Sequence, residues 1–214
     1  MTTQPGTGTL RGRRIARSRQ RLVEIALPAF AERGYDAVTV DWLCDQAELS
    51  KRSFFRYFDG KEDLALTPLN DVWRTLIADL DAVLVRGGPL LEVVGDALVE
   101  VVERMPPGWE RLAVLSARLS GSNPAIDAAG MLVCERFTQQ VVDAIAARLS
   151  AVPGVDLSAR VVCAVAVAGH RAAVDTWQSA PGAETTATRA ELCALLRASF
   201  AAAPAALETR LPAA

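Results

Sequence analysis

Residues 39–61 read TVDWLCDQAELSKRSFFRYFDGK, and the fold turns on how this stretch divides. Thr39 stands where a helix N-cap belongs, Asp41 falls in a first turn where the helix dipole favours an acid, and Val40, Leu43, Cys44 and Ala47 share one face. That is a two-turn helix. After Glu48 and Leu49, Ser50 caps a second short helix over 51–57, and Asp59-Gly60-Lys61-Glu62 opens a longer one. Two short helices joined by about three residues make a helix-turn-helix. The segment Ser50–Tyr57 is roughly 12 Å long. It exposes Lys51, Arg52, Ser53 and Arg56, while Phe54 and Phe58 pin it inward. A helix of that size fits the major groove of DNA.

Upstream, apolar residues at Ile15, Leu22, Ile25, Ala26, Ala29 and Phe30 fall mostly three or four apart and predict a first helix over 13–33, closed by Gly34. Residues 1–21 carry six arginines and no acid, whereas residues 65–214 hold 12 Arg against 16 acids. The formal net charge of -2 therefore conceals a polycationic end suited to a polyanion. The two lysines of the chain, Lys51 and Lys61, both fall in the quoted stretch, where a compact ammonium suits a phosphate. Arg11, Arg13 and Arg14 precede the predicted first helix or open it, as a basic arm that either reaches a minor groove or phosphates or adds only non-specific affinity. Residues 1–10 are expected to be disordered.

Downstream, Gly and Pro clusters divide the chain into helical segments at 61–86, kinked by Pro68, and at 90–105, 109–119, 124–149, 157–179 and 185–203. No strand alternation is visible. The expectation is an all-α protein of about nine helices, with a three-helix DNA-binding domain at 11–64 and a helical domain at 65–214.

Within 15–66, Thr39-Val40, the Ala47-x-x-Ser50 turn, Phe55-x-Tyr57-Phe58 and Lys61-Glu62-x-Leu64 resemble the DNA-binding signature of the TetR-like repressors. The resemblance implies a dimer whose divergent C-terminal part binds a small molecule. It also implies phosphate contacts from Thr39, Tyr57 and Lys61 and base or backbone contacts from Lys51, Arg52 and Ser53. Two positions depart from the signature. Glu48 replaces the usual turn glycine, which predicts strain, and Phe55 replaces a tyrosine, which removes a phosphate contact and favours packing.

The effector pocket is expected among the C-terminal helices, with Trp73, Met105, Trp109, Phe137, His170 and Trp177 as lining and an apolar or aromatic ligand. Core packing is the competing role for each. Val161, Ala164, Val165, Ala168 and Ala172 on one late helix, and Leu192, Leu195, Leu196 and Phe200 on the next, predict a four-helix contact across a two-fold axis. Paired readers then sit about 34–36 Å or a multiple apart, so the operator should be near-palindromic. The other reading is a ligand-independent DNA-binding protein whose C-terminal bundle only dimerises.

Cys44, Cys134, Cys163 and Cys193 lie apart among aliphatic residues and read as buried thiols of a cytoplasmic protein. One histidine, no GxSxG and no helical acid cluster argue against an enzyme, a metal site or a cofactor. Asp79 and Asp81 face different ways, and Gly6, Gly8 and Gly12 follow no strand. The apolar run Val161–Gly169 is too short to span a bilayer.

Overall fold

Leu22, Val23, Ala26, Leu27, Ala29 and Phe30 form the buried stripe of α1 (Leu10–Arg33) in a computed structural model of the chain. The structure describes residues 10–148 and 155–207, so the expected disordered arm at 1–10 lies, Leu10 apart, outside the described residues. Helix α1 starts earlier than expected. Arg11, Arg13 and Arg14 stand on its exposed first turns and not on an arm, in keeping with the good helix propensity of arginine. Gly34, at φ 86°, closes the helix, its N–H bonded to the Phe30 carbonyl at 3.0 Å.

Helices α2 (Val40–Ala47) and α3 (Lys51–Tyr57) have the expected caps. Thr39 Oγ1 accepts from Trp42 N–H at 3.1 Å and Ser50 Oγ from Ser53 N–H at 3.2 Å. Between them Glu48 takes the left-handed conformation at φ 55°, so the turn keeps its shape without the usual glycine. Its carboxylate accepts from Arg21 Nη2 at 3.1 Å, an exposed pair. A non-glycine residue there costs roughly 1–2 kcal/mol, and the pair returns at most about 1 kcal/mol. Glu48→Gly should therefore stabilise the chain by about 1 kcal/mol, raising Tm by roughly 2–4 °C in a thermal melt. A lower Tm would show that the ion pair outweighs the strain.

The single helix expected over 61–86 is three: α4 (Lys61–Ala65), α5 (Thr67–Ala78) and α6 (Leu80–Leu84). Leu66 (φ -86°, ψ -4°) and Asp79 (φ -94°, ψ 0°) mark the breaks. Pro68 has no N–H to continue the helical ladder. Carbonyls around the first break are taken by a distant helix, with Ser116 Oγ donating to Ala65 O at 2.6 Å and Trp109 Nε1 to Pro68 O at 2.9 Å.

The rest comprises α7 (Leu90–Glu103), α8 (Trp109–Ser122), α9 (Pro124–Arg148), α10 (Val155–Gln178), a one-turn α11 (Ala183–Thr186) and α12 (Arg189–Leu207). The described residues contain no strand, and the division of 61–86 together with α11 accounts for twelve helices in place of about nine. Three apolar cores form. One joins α5, α7, α8, α10 and α12, and a small one joins α6, α9 and α10. The third unites α1–α4 with Leu112, Leu115 and Leu119 of α8 and Ile126 of α9. Helix α8 thus serves two cores with opposite faces.

Over Leu157–Gln178, α10 is long and apolar enough to cross a bilayer by length and composition, a longer stretch than the run read from the sequence. It packs against α7, α8, α9 and α12.

Candidate nucleic-acid interface and effector cavity

Helix α3 is held from beneath. Phe54 and Phe58 are buried, their rings 5.6 Å apart, and the Arg19 guanidinium of α1 lies 5.4 Å from the Phe58 ring. The outer face carries Lys51, Arg52 and Arg56, all exposed. Arg52 forms no ion pair or hydrogen bond among the described residues, whereas Lys51 Nζ meets Asp41 Oδ1 at 2.6 Å. Both members of that pair are 61% exposed, so a phosphate competes with little penalty. Arg56 lies 4.9 Å from the Tyr57 ring and donates to its hydroxyl at 2.8 Å, which orients both side chains. The Ser50 and Ser53 hydroxyls sit 3.0 Å apart at the helix start.

Two expectations need correction. Lys61 does not project outward: its ammonium donates to Tyr35 O at 3.0 Å and Val38 O at 2.8 Å, and it stands 4.3 Å from the Tyr35 ring. An ammonium that ties down the α1–α2 loop has a structural task before any phosphate contact. Phe55 is not packed but 58% exposed, edge-on to Phe54 at 5.2 Å, because residue 55 follows the inward Phe54 by 100° of helix.

Behind the reader, Arg19 donates to both carboxylate oxygens of Asp71 at 3.1 Å, and Arg74 bridges Asp71 at 2.9 Å and Asp63 at 3.2 Å. This network straps α1 to α4 and α5. Neither Arg19 nor Asp71 was singled out in the sequence, since their 52-residue separation leaves no local signal.

Of the six residues expected to line a pocket, Trp73 and His170 do, and four do not. Met105 and Phe137 are core residues, and Trp109 and Trp177 stack at 6.1 Å with their indole N–H groups given to Pro68 O and Thr188 O. Large aromatics gain most from full burial, which draws them into the core. The cavity, about 100 Å³, lies between α5, α8, α9 and α10. Leu66, Leu69, Asn70 and Trp73 form one wall, and Gly121, Gly130, Cys134 and Val174 contribute to the others. Cys134 is half-buried there, unlike the other three thiols.

The sequence reading missed Asn70. It is 5% exposed and its Nδ2 has no partner among the described residues, the mark of a donor waiting for an acceptor. Its signal was present: Leu66, Asn70 and Trp73 share one helical stripe, on which an amide is out of place. His170, 6% exposed, meets Trp73 edge-on at 5.1 Å, and burial holds its pKa at about 4, with Arg171 adding to the effect. The imidazole is neutral near pH 7. Among the described residues no three His, Cys, Asp or Glu side chains are grouped to hold a metal ion.

A capped helix-turn-helix with an exposed basic second helix, set on a helical bundle with a cavity, defines a DNA-binding regulator. The sequence model of the bacterial tetR regulatory family matches residues 22–67, and that of the MftR C-terminal domain, a TetR C-terminal class, matches residues 88–201. The chain belongs to the TetR family of transcriptional regulators. The HTH-type transcriptional regulator TcmR of Streptomyces glaucescens is 33% identical over 135 residues, 63% of this chain and 55% of that protein. An uncharacterized HTH-type regulator of Bacillus subtilis, YuxN, is 39% identical over 49 residues, 23% of this chain and 17% of that protein. The chain thus spans about half the length of the first relative and under a fifth of the second. A regulator from Syntrophomonas wolfei assigned to the TetR family superposes with a TM-score of 0.57 at 17% identity, covering 89% of this chain and 96% of that one. Thermus thermophilus FadR, a TetR-family repressor in complex with lauroyl-CoA, gives 0.53 at 19% identity over 92% and 98%. Both share the fold.

Proposed function

We propose that this regulator is a cytoplasmic, dimeric repressor that grips a near-palindromic operator through α2 and α3 and releases it when a small molecule fills the cavity beside α5. The supporting observation is the division of labour in α3: Phe54 is buried while Lys51, Arg52 and Arg56 stand outward on a capped helix. In this reading residues 11–64 are the DNA-binding domain and residues 65–214 the effector and dimerisation domain. Thr39, Ser50, Lys51, Arg52, Ser53, Arg56 and Tyr57 contact DNA, and Arg11, Arg13 and Arg14 extend the contact along phosphates from α1. Lys61 adds at most one remaining N–H.

For the dimer, the outward face of α10 carries Val161, Ala164, Ala168 and Ala172, while Val165 is half-buried. On α12 the expected leucines turn the other way. Leu192 and Leu196 are buried in the subunit's own core, with Leu195 and Phe200 packed against it, leaving Ala190, Ala194, Ala198 and Ala201 outward. Two small-residue faces that let backbones approach closely suit a four-helix contact.

Release follows from where the cavity lies. Leu66 is both a cavity wall and the break between α4 and α5, and α8 carries cavity residues on one face and the α1 core on the other. A ligand that prefers a shifted α5–α8 pair biases the reader position, and a coupling of about 1–3 kcal/mol lowers DNA affinity some 5–150-fold. That a protein of the same fold was crystallised with lauroyl-CoA supports a ligand role for the bundle. The unpartnered Asn70 amide favours this over a bundle that only dimerises.

A footprint on the DNA upstream of its own gene tests the reading. Arg52→Ala should weaken binding about 10- to 100-fold with Tm unchanged, since Arg52 is exposed and bonds to none of the described residues. Protection absent from every upstream fragment in moderate salt, or unaffected by Arg52→Ala, would reject the assignment.

A further inference from the structure

The cavity beside α5 has a distinct chemistry. Its walls are aliphatic and aromatic, with two polar side chains at depth, Asn70 and His170, both more than nine-tenths buried. Asn70 Nδ2 has no acceptor among the described residues. The charged groups are Arg171, Asp127 and Asp175. Arg171 already meets Asp127 at 3.2 Å, both members roughly half exposed, so no free cation awaits a carboxylate, and the acids outnumber the arginine. A cationic ligand would set its own donors against the Asn70 donor.

We propose that the ligand of this cavity is an uncharged, largely apolar molecule that presents a carbonyl-type acceptor to Asn70 Nδ2, with His170 as the second polar contact. This rests on the cavity being the effector site and specifies what that site accepts. Filling an unsatisfied buried donor removes a standing desolvation penalty, so the acceptor governs selectivity while the apolar body contributes most of the affinity. The cavity of about 100 Å³ is smaller than the roughly 150 Å³ that holds a benzene ring. A ligand with one ring therefore fills the space and either reaches past the exposed Arg171 and Asp175 or displaces a wall. Leu66, at the α4–α5 break, is the wall whose movement reaches the DNA reader, and the absent side chain at Gly130 leaves it room.

Titration calorimetry of the full chain with acetophenone, ethylbenzene, benzoate and 1-phenylethylammonium, each one ring and of similar size, tests this. Acetophenone should bind about tenfold more tightly than ethylbenzene, the worth of one neutral hydrogen bond, and both ions more weakly than either. Asn70→Leu should abolish the preference for the ketone while keeping ethylbenzene binding, and Asn70→Asp, nearly isosteric, should reverse it. The comparison in the unaltered chain stands even if a variant fails to fold. Tighter binding of ethylbenzene or of either ion, no binding of acetophenone, or a ketone preference that survives Asn70→Leu overturns the proposal. Acetophenone added to the footprinted complex separates the two readings. A ketone preference without DNA release counts against effector control and leaves the ligand class standing, whereas release by an ion without ketone preference does the reverse.

Discussion

Phe58→Ala should cost about 3–5 kcal/mol of folding stability and abolish DNA binding together. The ring is 2% exposed, lies 5.6 Å from Phe54 and has the Arg19 guanidinium above it at 5.4 Å. Its loss leaves a cavity beneath α3 and removes the apolar seat of a cation bound to Asp71. Because the α1–α4 core includes α8 residues, the melt should fall as a single transition, by roughly 10 °C. A loss below about 1 kcal/mol would mean that α3 is not anchored through this ring. Arg52→Ala should leave the same melt unmoved, so the pair separates anchoring from reading.

Acidification should produce the second large effect, through His170. Its folded-state pKa is about 4, below the ordinary value of 6.5, because burial penalises the charged ring. The unfolded chain therefore binds more protons than the native one between those values, and stability present above pH 6.5 drains as pH falls towards 4. The full difference corresponds to about 3 kcal/mol. Arg171, adjacent in sequence, adds to the depression, and Trp73 meets the ring edge-on without offering an acceptor. Denaturant unfolding of the full chain and of His170→Phe at pH 7 and pH 4.5 measures it. The variant should lose markedly less stability over that interval. Equal losses in both would show that His170 protonates freely in the folded state.

The reading unit was legible because its signals are local. Thr39 and Ser50 cap within three residues of the N–H groups they satisfy, Gly34 ends its own helix, and Phe54 announces a buried face by its spacing. Lys61 was not, since the carbonyls it ties, Tyr35 O and Val38 O, lie more than twenty residues away on a loop whose shape the sequence does not state. The division of 61–86 was half visible. Pro68 marked a kink, but the extra bonds that Ala65 O and Pro68 O accept there come from Ser116 and Trp109, 51 and 41 residues away. Trp109, Phe137 and Trp177 belong to the core and not to the cavity lining, since bulky rings fill volume. The better marker was the amide of Asn70, a polar group on a buried stripe.

Helix α8 sets a rule for any attempt to exchange modules between relatives. Leu112, Leu115 and Leu119 belong to the same apolar cluster as Leu22 and Phe30, so a graft of residues 11–64 alone onto a foreign bundle would arrive with its underside bare. A workable chimera must carry that leucine row, together with Ile126, from the donor of the reader. For the same reason, changes that suit the reader and changes that suit the bundle constrain one another in this chain through a single shared rod.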